Sequence, residues 1–313
     1  MTVVDAPVTA EAAPRSRPRL PGGLGALPLG AWILFFFILP FGLVVWYSFG
    51  YKPGIYSTHA NDILSLDRYS EAASPTFLAI FVRTLKIAAT GTVLCLLIAF
   101  PMAYWMAQKL SSKWRGVVLA LVLIPYWTNF LVRTIGWQIS LSPTGFVSEI
   151  LQWAHLTDGQ LHVLYTSAAV QLGVVYNYLP LMILPLYVAL ERLDPKLLEA
   201  SRDLGGTAWS TFWHVTFPLA VPGVTAGLLL VFVPLMGDYI TPTVLGGASG
   251  SMVGQMVAAQ FQSAQNWALG SAMAVLLMMA IFGTSAVVGG VLKVLGRITT
   301  ALTSLSLSTK ESS

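Results

Sequence analysis

Charged residues are the scarcest feature of this 313-residue sequence. They make up 10% of it, against roughly 25% in soluble domains, whereas 56% of its residues are hydrophobic and the mean hydropathy is +0.72. A chain of this composition cannot cover the surfaces of the two globular cores that its length alone suggests. The 17 basic and 13 acidic residues give a net charge of +4, too weak and too scattered for a nucleic-acid surface. The composition therefore predicts a membrane protein with no nucleic-acid partner.

Cysteine and the usual catalytic patterns are equally sparse. The only thiol, Cys95, lies in an apolar run, which excludes a disulfide framework and a cysteine-based metal site. The four histidines are far apart and form no HExxH pair, and neither GxSxG nor a GxxxxGK[ST] phosphate loop occurs. We therefore expect no catalytic residue, metal or cofactor on this chain, and no nucleotide hydrolysis by it.

Six apolar runs are long enough to cross a bilayer, which takes about 20 residues. The predicted spans cover residues 29–50, 84–107, 116–135, 163–190, 215–237 and 269–293. The connections 133–162 and 239–268 are long and contain apolar patches, so we expect short interfacial or re-entrant helices in both.

The flanking segments complete the predicted topology. Residues 1–28, rich in proline, alanine and glycine, are predicted to be a disordered leader, 29–297 the transmembrane domain, and 298–313 a cytoplasmic tail. A cleaved signal peptide is the competing interpretation of the leader, but no small-residue cleavage site follows the apolar stretch. Twelve of the 17 Lys and Arg residues fall on one side of the six spans, which predicts that both termini are cytoplasmic. The expected fold class is an all-α, multi-pass membrane protein with six transmembrane helices.

A charged loop, residues 191–214, separates the fourth and fifth spans. Seven of the 30 charged residues of the chain lie within its first 13 positions. Asp194 followed by Pro195 predicts a helix start, so a short helix should run over residues 195–204. Gly205 and Gly206 should end it, and Thr207 should cap a second short helix that ends before Pro218. This helix–turn–helix is predicted to lie on the cytoplasmic side.

The charged loop resembles the EAA motif of bacterial ABC importer permeases. That motif reads EAA, three residues, Gly, nine residues, then Ile-x-Leu-Pro; here it is Glu199-Ala200-Ser201, Gly205, and Val215-Thr216-Phe217-Pro218. The spacing matches throughout, with Ser201, Val215 and Phe217 as mild departures. An ordinary charged loop would explain the Lys and Arg residues by the positive-inside rule, but not the acidic residues or the Gly-to-Pro spacing.

The resemblance implies a type I ABC importer permease fold and a coupling role for the charged loop. In that family the loop docks on a separate ATPase, which binds ATP and Mg²⁺, and ATPase closure moves the membrane helices. It also implies an ATPase dimer, a second permease forming a heterodimer, an extracytoplasmic solute-binding protein, and a bacterial inner-membrane location. The coupling residues implied are Glu199, Ala200, Ser201, Arg202, Asp203, Gly205, Val215 and Pro218.

A wider resemblance, over most of residues 30–295, is to the spermidine/putrescine type of these permeases. Three stretches carry it: Ile124–Trp137, Glu191–Pro195 and Gly237–Gly247. The resemblance implies a polyamine as substrate, although relatives that import other solutes share many of these sequence segments.

Asp238 gives the polyamine interpretation some support from chemistry. It is the only acidic residue between Asp203 and Glu311, and a charge near membrane depth usually faces a pathway or a partner. A carboxylate among aromatic rings suits ammonium groups through ion pairing and cation–π contact. The candidate pathway residues are Asp238, Tyr239, Trp127, Tyr126 and Asn129. Alternatively, Asp238 caps a helix and the aromatic residues form an interfacial belt. Arg133 raises a separate alternative, because its positive charge would favour an anionic or zwitterionic substrate.

Other functional classes remain open at this point. The same permease role could serve an amino acid, an opine, a phosphonate or an iron complex. A secondary transporter would favour several ionisable residues at mid-span, and the predicted spans contain almost none. A membrane enzyme would need converging catalytic side chains. The glycines Gly223 and Gly227 in the fifth span permit close helix contact, either with another subunit or within the chain.

Overall fold

The computed structural model describes residues 27–157 and 159–311. These ranges consist of helices joined by loops. In chain order the helices are α1 (Leu27–Tyr47), α2 (Asp67–Ala72), α3 (Pro75–Lys109), α4 (Ser112–Trp127), α5 (Phe130–Ser140), α6 (Phe146–Trp153), α7 (Ser167–Glu191), α8 (Pro195–Asp203), α9 (Ala208–Met236), α10 (Val253–Gln262) and α11 (Trp267–Glu311). Short π-helical segments lie within α1, end α3, occur near the start of α9 and form a separate turn at Pro242–Gly246. Within the described ranges, β pairing is limited to one bridge between Tyr51 and Ala60.

Among the residues that the structure describes, five helices are long and apolar enough to cross a membrane, and α4 with α5 makes a sixth if the bent pair counts as one span. The predicted third span, residues 116–135, is divided between these two helices, which meet at 88°. Pro125 lacks a backbone N–H, Thr128 is extended (ψ 155°), and the Asn129 side chain caps α5 by accepting from the Leu131 N–H at 2.8 Å. The break follows from these three residues.

The first described helix, α1, belongs for the most part to a separate unit that ends at Val44. None of its residues is buried. The predicted leader, residues 1–28, lies outside the described residues except for its last two, which begin α1. At the other end, α11 continues through residues predicted to be a tail and ends at Glu311.

The core lies where α3, α7 and α9 pack together. One face of α3 carries a stripe of small residues at helical spacing, all of them buried: Ala88, Gly91, Cys95, Ala99 and Ala103. A Cβ atom on Gly91 would lie 3.3 Å from side-chain atoms of both Val174 and Leu235. Small side chains let the helix axes approach closely, and Cys95 accordingly serves as a small core residue.

The two glycines of α9 face α7 in the same chain. A Cβ on Gly223 would lie 2.4 Å from the Ala189 Cβ, and one on Gly227 would lie 2.6 Å from the Met182 Sδ. The GxxxG step therefore serves packing within the chain, one of the two roles that the sequence allowed.

The connection between α9 and α11 is tied to α3. The Arg83 guanidinium donates to the Ala248 carbonyl and to Ser251 Oγ, both at 3.0 Å, and the Val253 N–H donates to Thr84 Oγ1 at 2.9 Å. Short helices occur in both of the long connections, α6 in the first and α10 in the second. These contacts give the loop after Asp238 a fixed place against the core.

The loop after α1 is held to the residues just before α11. Lys52 Nζ donates to the Ala264 carbonyl at 2.8 Å, and the Trp267 N–H donates to the Thr58 carbonyl at 3.2 Å. His59 lies in this loop with its ring 4.1 Å from that of Tyr47, and both of its ring nitrogens are buried without a hydrogen-bond partner. Burial lowers the pKa of the His59 imidazole below its usual value of 6.5.

This half-buried histidine makes stability sensitive to acid. When pH falls through 6.5, the unfolded chain takes up the proton first, so the free energy of unfolding should drop by at most about 1.4 kcal/mol per pH unit. Above that pH the imidazole is neutral in both states and contributes no pH dependence. We expect the midpoint of thermal unfolding to fall less between pH 7.5 and 5.5 in His59→Phe than in the parent chain. Replacing the exposed His162 with Phe is the control, and an equal fall in both variants would contradict the prediction.

Candidate functional site

The charged loop forms the helix–turn–helix that its sequence predicts. Asp194 caps α8 by accepting from the Lys196 N–H at 3.0 Å, and Pro195 occupies the first helical position. Gly205 has φ +80°, in the left-handed region, and its N–H donates to the Arg202 carbonyl at 2.8 Å. Thr207 then caps α9 by accepting from the Ser210 N–H at 3.2 Å. Local chemistry alone therefore determines the shape of this turn.

A direct bond joins the two arms of the charged loop. Ser201 Oγ on α8 and Thr211 Oγ1 on α9 share a hydrogen bond of 2.8 Å, and the Gly206 N–H donates to the Ser201 carbonyl at 2.9 Å. Ser201 stands where the EAA motif has alanine, so the departure from the motif supplies a hydroxyl that fastens α8 to α9.

The second arm of the loop is longer than expected. It does not end before Pro218 but continues as α9 to Met236, passing through a π-helical segment at Phe212–Thr216. A proline inside a helix leaves the carbonyl four residues earlier without its donor, and the wider π turn shifts the register just before Pro218. The expected break is therefore absent, and the charged loop connects rigidly to the fifth span. Val215 and Pro218 are half-buried in this segment.

The outer side of α8 is exposed. Glu199, Ala200, Arg202 and Asp203 are all accessible, and Leu204 at the end of the helix is 87% exposed, whereas Leu198 faces inward. An apolar tip surrounded by charges of both signs is the composition of a protein-docking surface. The end of α7 just before α8 is anchored to α3, because Gln108 Nε2 donates to the Leu190 carbonyl at 2.7 Å. Within α7, Tyr187 Oη donates to Glu191 at 2.7 Å.

Asp238 has a local structural role in this structure. It is 6% exposed, and its carboxylate accepts from the backbone N–H groups of Ile240 at 3.0 Å and Thr241 at 3.1 Å and from the Thr241 hydroxyl. These bonds cap the turn before Pro242–Gly246, as one of the two interpretations of the sequence expected. The Tyr178 hydroxyl also lies beside this carboxylate.

The other candidate pathway residues do not gather around Asp238. Trp127 is 81% exposed, Tyr239 is exposed, and Asn129 caps α5. Tyr126 differs from them because it lines a cavity of about 490 Å³ between the α4–α5 bend, α7 and α9. Their joint role in a substrate pathway stays a prediction.

The residues around this cavity include several that the sequence did not single out. Its walls include Phe130, Arg133, Asn177 and Tyr178 as well as Tyr126. The Arg133 guanidinium lies over two rings, 5.3 Å from the centroid of Tyr126 and 5.5 Å from that of Phe130. One signal for Asn177 was present in the sequence, because its amide lies between two tyrosines within the predicted fourth span.

A bundle of helices that are long and apolar enough to cross a membrane, joined by a structured charged loop, is typical of a membrane transport component. The sequence matches the family described as "Binding-protein-dependent transport system inner membrane component" over residues 99–292. The chain belongs to this family. It is a multi-pass inner-membrane protein that acts in transport and not as an enzyme.

Two of the similar proteins are polyamine permeases by name. The chain is 37% identical over 256 residues to the spermidine/putrescine transport system permease protein PotB of Haemophilus influenzae, which covers 80% of this chain and 88% of that protein. It is 34% identical over 250 residues to PotB of Escherichia coli K12, covering 80% and 90%.

Among solved structures, a bacterial ABC transporter involved in the import of the acidic polysaccharide alginate aligns with a TM-score of 0.68. The alignment covers 87% of this chain and 94% of that chain at 15% identity. The expected fold class, an all-α ABC importer permease, is thereby confirmed, while the cytoplasmic location of both termini stays a prediction.

Proposed function

We propose that this chain is a permease subunit of an ATP-binding-cassette importer and forms half of the translocation pathway for a polyamine. The charged loop carries the proposal, because its sequence keeps the spacing of the EAA motif and it folds as a helix–turn–helix with an exposed α8 surface. The polyamine assignment is supported by the PotB relatives, which are 34% and 37% identical to this chain and are named as spermidine/putrescine transport system permeases.

The proposed assembly contains four kinds of partner: two ATPase subunits, a second permease, an extracytoplasmic solute-binding protein and the lipid bilayer. ATP and Mg²⁺ bind to the ATPase subunits. The exposed face of α8, with Glu199, Arg202 and Asp203 around Leu204, docks on the ATPase through charge-assisted contacts and an apolar anchor. Movement of the ATPase pair then displaces α9 through the charged loop.

Reconstitution tests both parts of this proposal. The chain is assembled in liposomes with its ATPase, second permease and binding protein, and uptake of labelled putrescine and spermidine is compared with that of amino acids, iron complexes and phosphonates. We expect uptake of the polyamines alone, and stimulation of ATP hydrolysis by loaded binding protein.

The outcomes separate the class of transporter from its substrate. Uptake of an anion but of no cation would remove the polyamine assignment and leave the importer intact. Uptake that continues after ATP depletion, as long as a proton gradient is maintained, would remove the importer itself in favour of a secondary transporter.

A further inference from the structure

Asn177 presents an unused hydrogen-bond acceptor at the cavity between α5, α7 and α9. The residue is only 1% exposed, and its Nδ2 donates to Thr134 Oγ1 at 3.2 Å. The Thr134 hydroxyl donates its single hydrogen to the Phe130 carbonyl at 2.9 Å, so it can only accept from Asn177. This chain of bonds fixes the orientation of the amide, and the Asn177 Oδ1 is buried without a partner.

Such an oxygen favours a ligand that donates hydrogen bonds. A buried acceptor left without a donor costs free energy, and a group that supplies the donor recovers it. A second wall residue, Tyr178, has the Asp238 carboxyl group beside its hydroxyl, which places further acceptor oxygens behind the cavity. A carbonyl-type oxygen with a carboxyl group behind it suits a cation with N–H groups.

Arg133 already occupies the aromatic surface of this cavity. Its guanidinium covers the rings of Tyr126 and Phe130 at 5.3 and 5.5 Å, its Nε has no hydrogen-bond partner, and no carboxylate of the described residues lies within ion-pair distance. The ring faces are therefore its main stabilising contact, and they are equally suited to an ammonium group. Two cations cannot cover the same ring faces at once.

We infer that this cavity is an ammonium-binding subsite of the translocation pathway and that Arg133 is a tethered cation that covers it when no substrate is present. An arriving ammonium group donates to Asn177 Oδ1 and replaces the guanidinium on Tyr126 and Phe130. The inference rests on the proposed polyamine function and adds the residues that receive the substrate. On this inference Arg133 also limits leakage, because a fixed positive charge in the resting pathway repels small cations.

The first test removes the acceptor. In proteoliposomes of the full transporter, we expect Asn177→Leu to lower the number of labelled putrescine molecules carried per ATP hydrolysed by about tenfold, because a charged hydrogen bond is lost. ATP hydrolysis stimulated by loaded binding protein should stay within about twofold, since the contacts with the partners are unchanged. Asn177→Asp also keeps an acceptor once the Thr134 hydroxyl turns from the Phe130 carbonyl to donate to it, and it should retain uptake.

Gln171→Leu is the matched control, because Gln171 lies on the same helix but bonds to Thr90 outside the cavity. Equal coupling ratios in Asn177→Leu and the parent would overturn the subsite. A parallel loss of uptake and hydrolysis in Asn177→Leu would also overturn it, because that pattern indicates damage to the fold. A parent transporter that carries no polyamine at all would instead refute the proposed function, and the subsite with it.

The second test removes the tethered cation. Without ATP, we expect proteoliposomes with Arg133→Gln to leak labelled putrescine several-fold faster than the parent, whereas Arg133→Lys keeps the charge and should leak no faster. Leakage equal to the parent in Arg133→Gln would overturn the role of Arg133. Loss of putrescine uptake in Arg133→Gln without a leak would overturn it as well, because the guanidinium would then be assisting the substrate.

Discussion

Replacing Gly205 with valine is expected to abolish most substrate uptake by the assembled transporter. Gly205 has φ +80°, and a β-branched residue there costs roughly 1–3 kcal/mol of strain, equivalent to about a 5- to 150-fold loss of the correct turn. No atom of a neighbouring residue lies within 4 Å of a Cβ built at this position, so the effect comes from the backbone and not from a clash. The measurements are polyamine uptake and co-purification of the ATPase with the permease.

Two variants control for this prediction. Gly54→Val also adds a branched side chain to an exposed loop glycine, but the backbone there does not have a positive φ, so uptake should be unchanged. Gly205→Asn should keep most of the uptake, because asparagine tolerates the left-handed region. If Gly205→Val transports normally, the charged loop does not need its observed turn and the coupling role is wrong.

Replacing Gly223 with valine is expected to destabilise the membrane bundle. The added Cβ would lie 2.4 Å from the Ala189 Cβ and 2.7 Å from the Pro185 carbonyl oxygen, and neither atom belongs to a flexible side chain. The α7–α9 contact must open to relieve this, at a cost of about 3 kcal/mol, the upper end for overpacked cores. The midpoint of thermal unfolding of the purified protein should fall by several degrees.

Gly283→Val in α11 is the matched control, because nothing lies within 4 Å of a Cβ at that helical glycine. It should melt close to the parent. Equal melting of the Gly223 and Gly283 variants would show that α9 does not pack on α7 as closely as described.

The charged loop was the part of this fold most accessible from sequence. Asp194, Gly205 and Thr207 act on backbone groups within three residues of themselves, so their effects can be predicted without knowing what surrounds them. The continuation of α9 through Pro218 could not be predicted in this way. It depends on a π-helical segment, whose geometry has no simple sequence signal.

The cavity was less accessible for a different reason. Asn177, Arg133 and Tyr126 lie on three different helices, and their meeting depends on the 88° bend between α4 and α5. Pro125 and Asn129 indicate in the sequence that a helix breaks here, but the 88° angle between α4 and α5 depends on how the two helices pack. The role of Asp238 was equally hard to predict from the sequence. Whether it caps a helix or faces a pathway depends on whether backbone N–H groups lie near its carboxylate oxygens, as those of Ile240 and Thr241 do.

The bond between Ser201 and Thr211 has a mechanical consequence. A flexible connection between two helices absorbs a displacement applied to one of them. A connection that is held by a hydrogen bond transmits the displacement to the other helix. Here the hydrogen bond joins α8 directly to α9, a helix of 29 residues that extends for about 44 Å. On the proposed function, a push on the cytoplasmic face reaches the outer end of α9 at Met236, two residues from Asp238, with little lost in between. If the proposed coupling holds, this hydroxyl pair contributes to how much of the ATPase movement reaches the opposite side of the membrane.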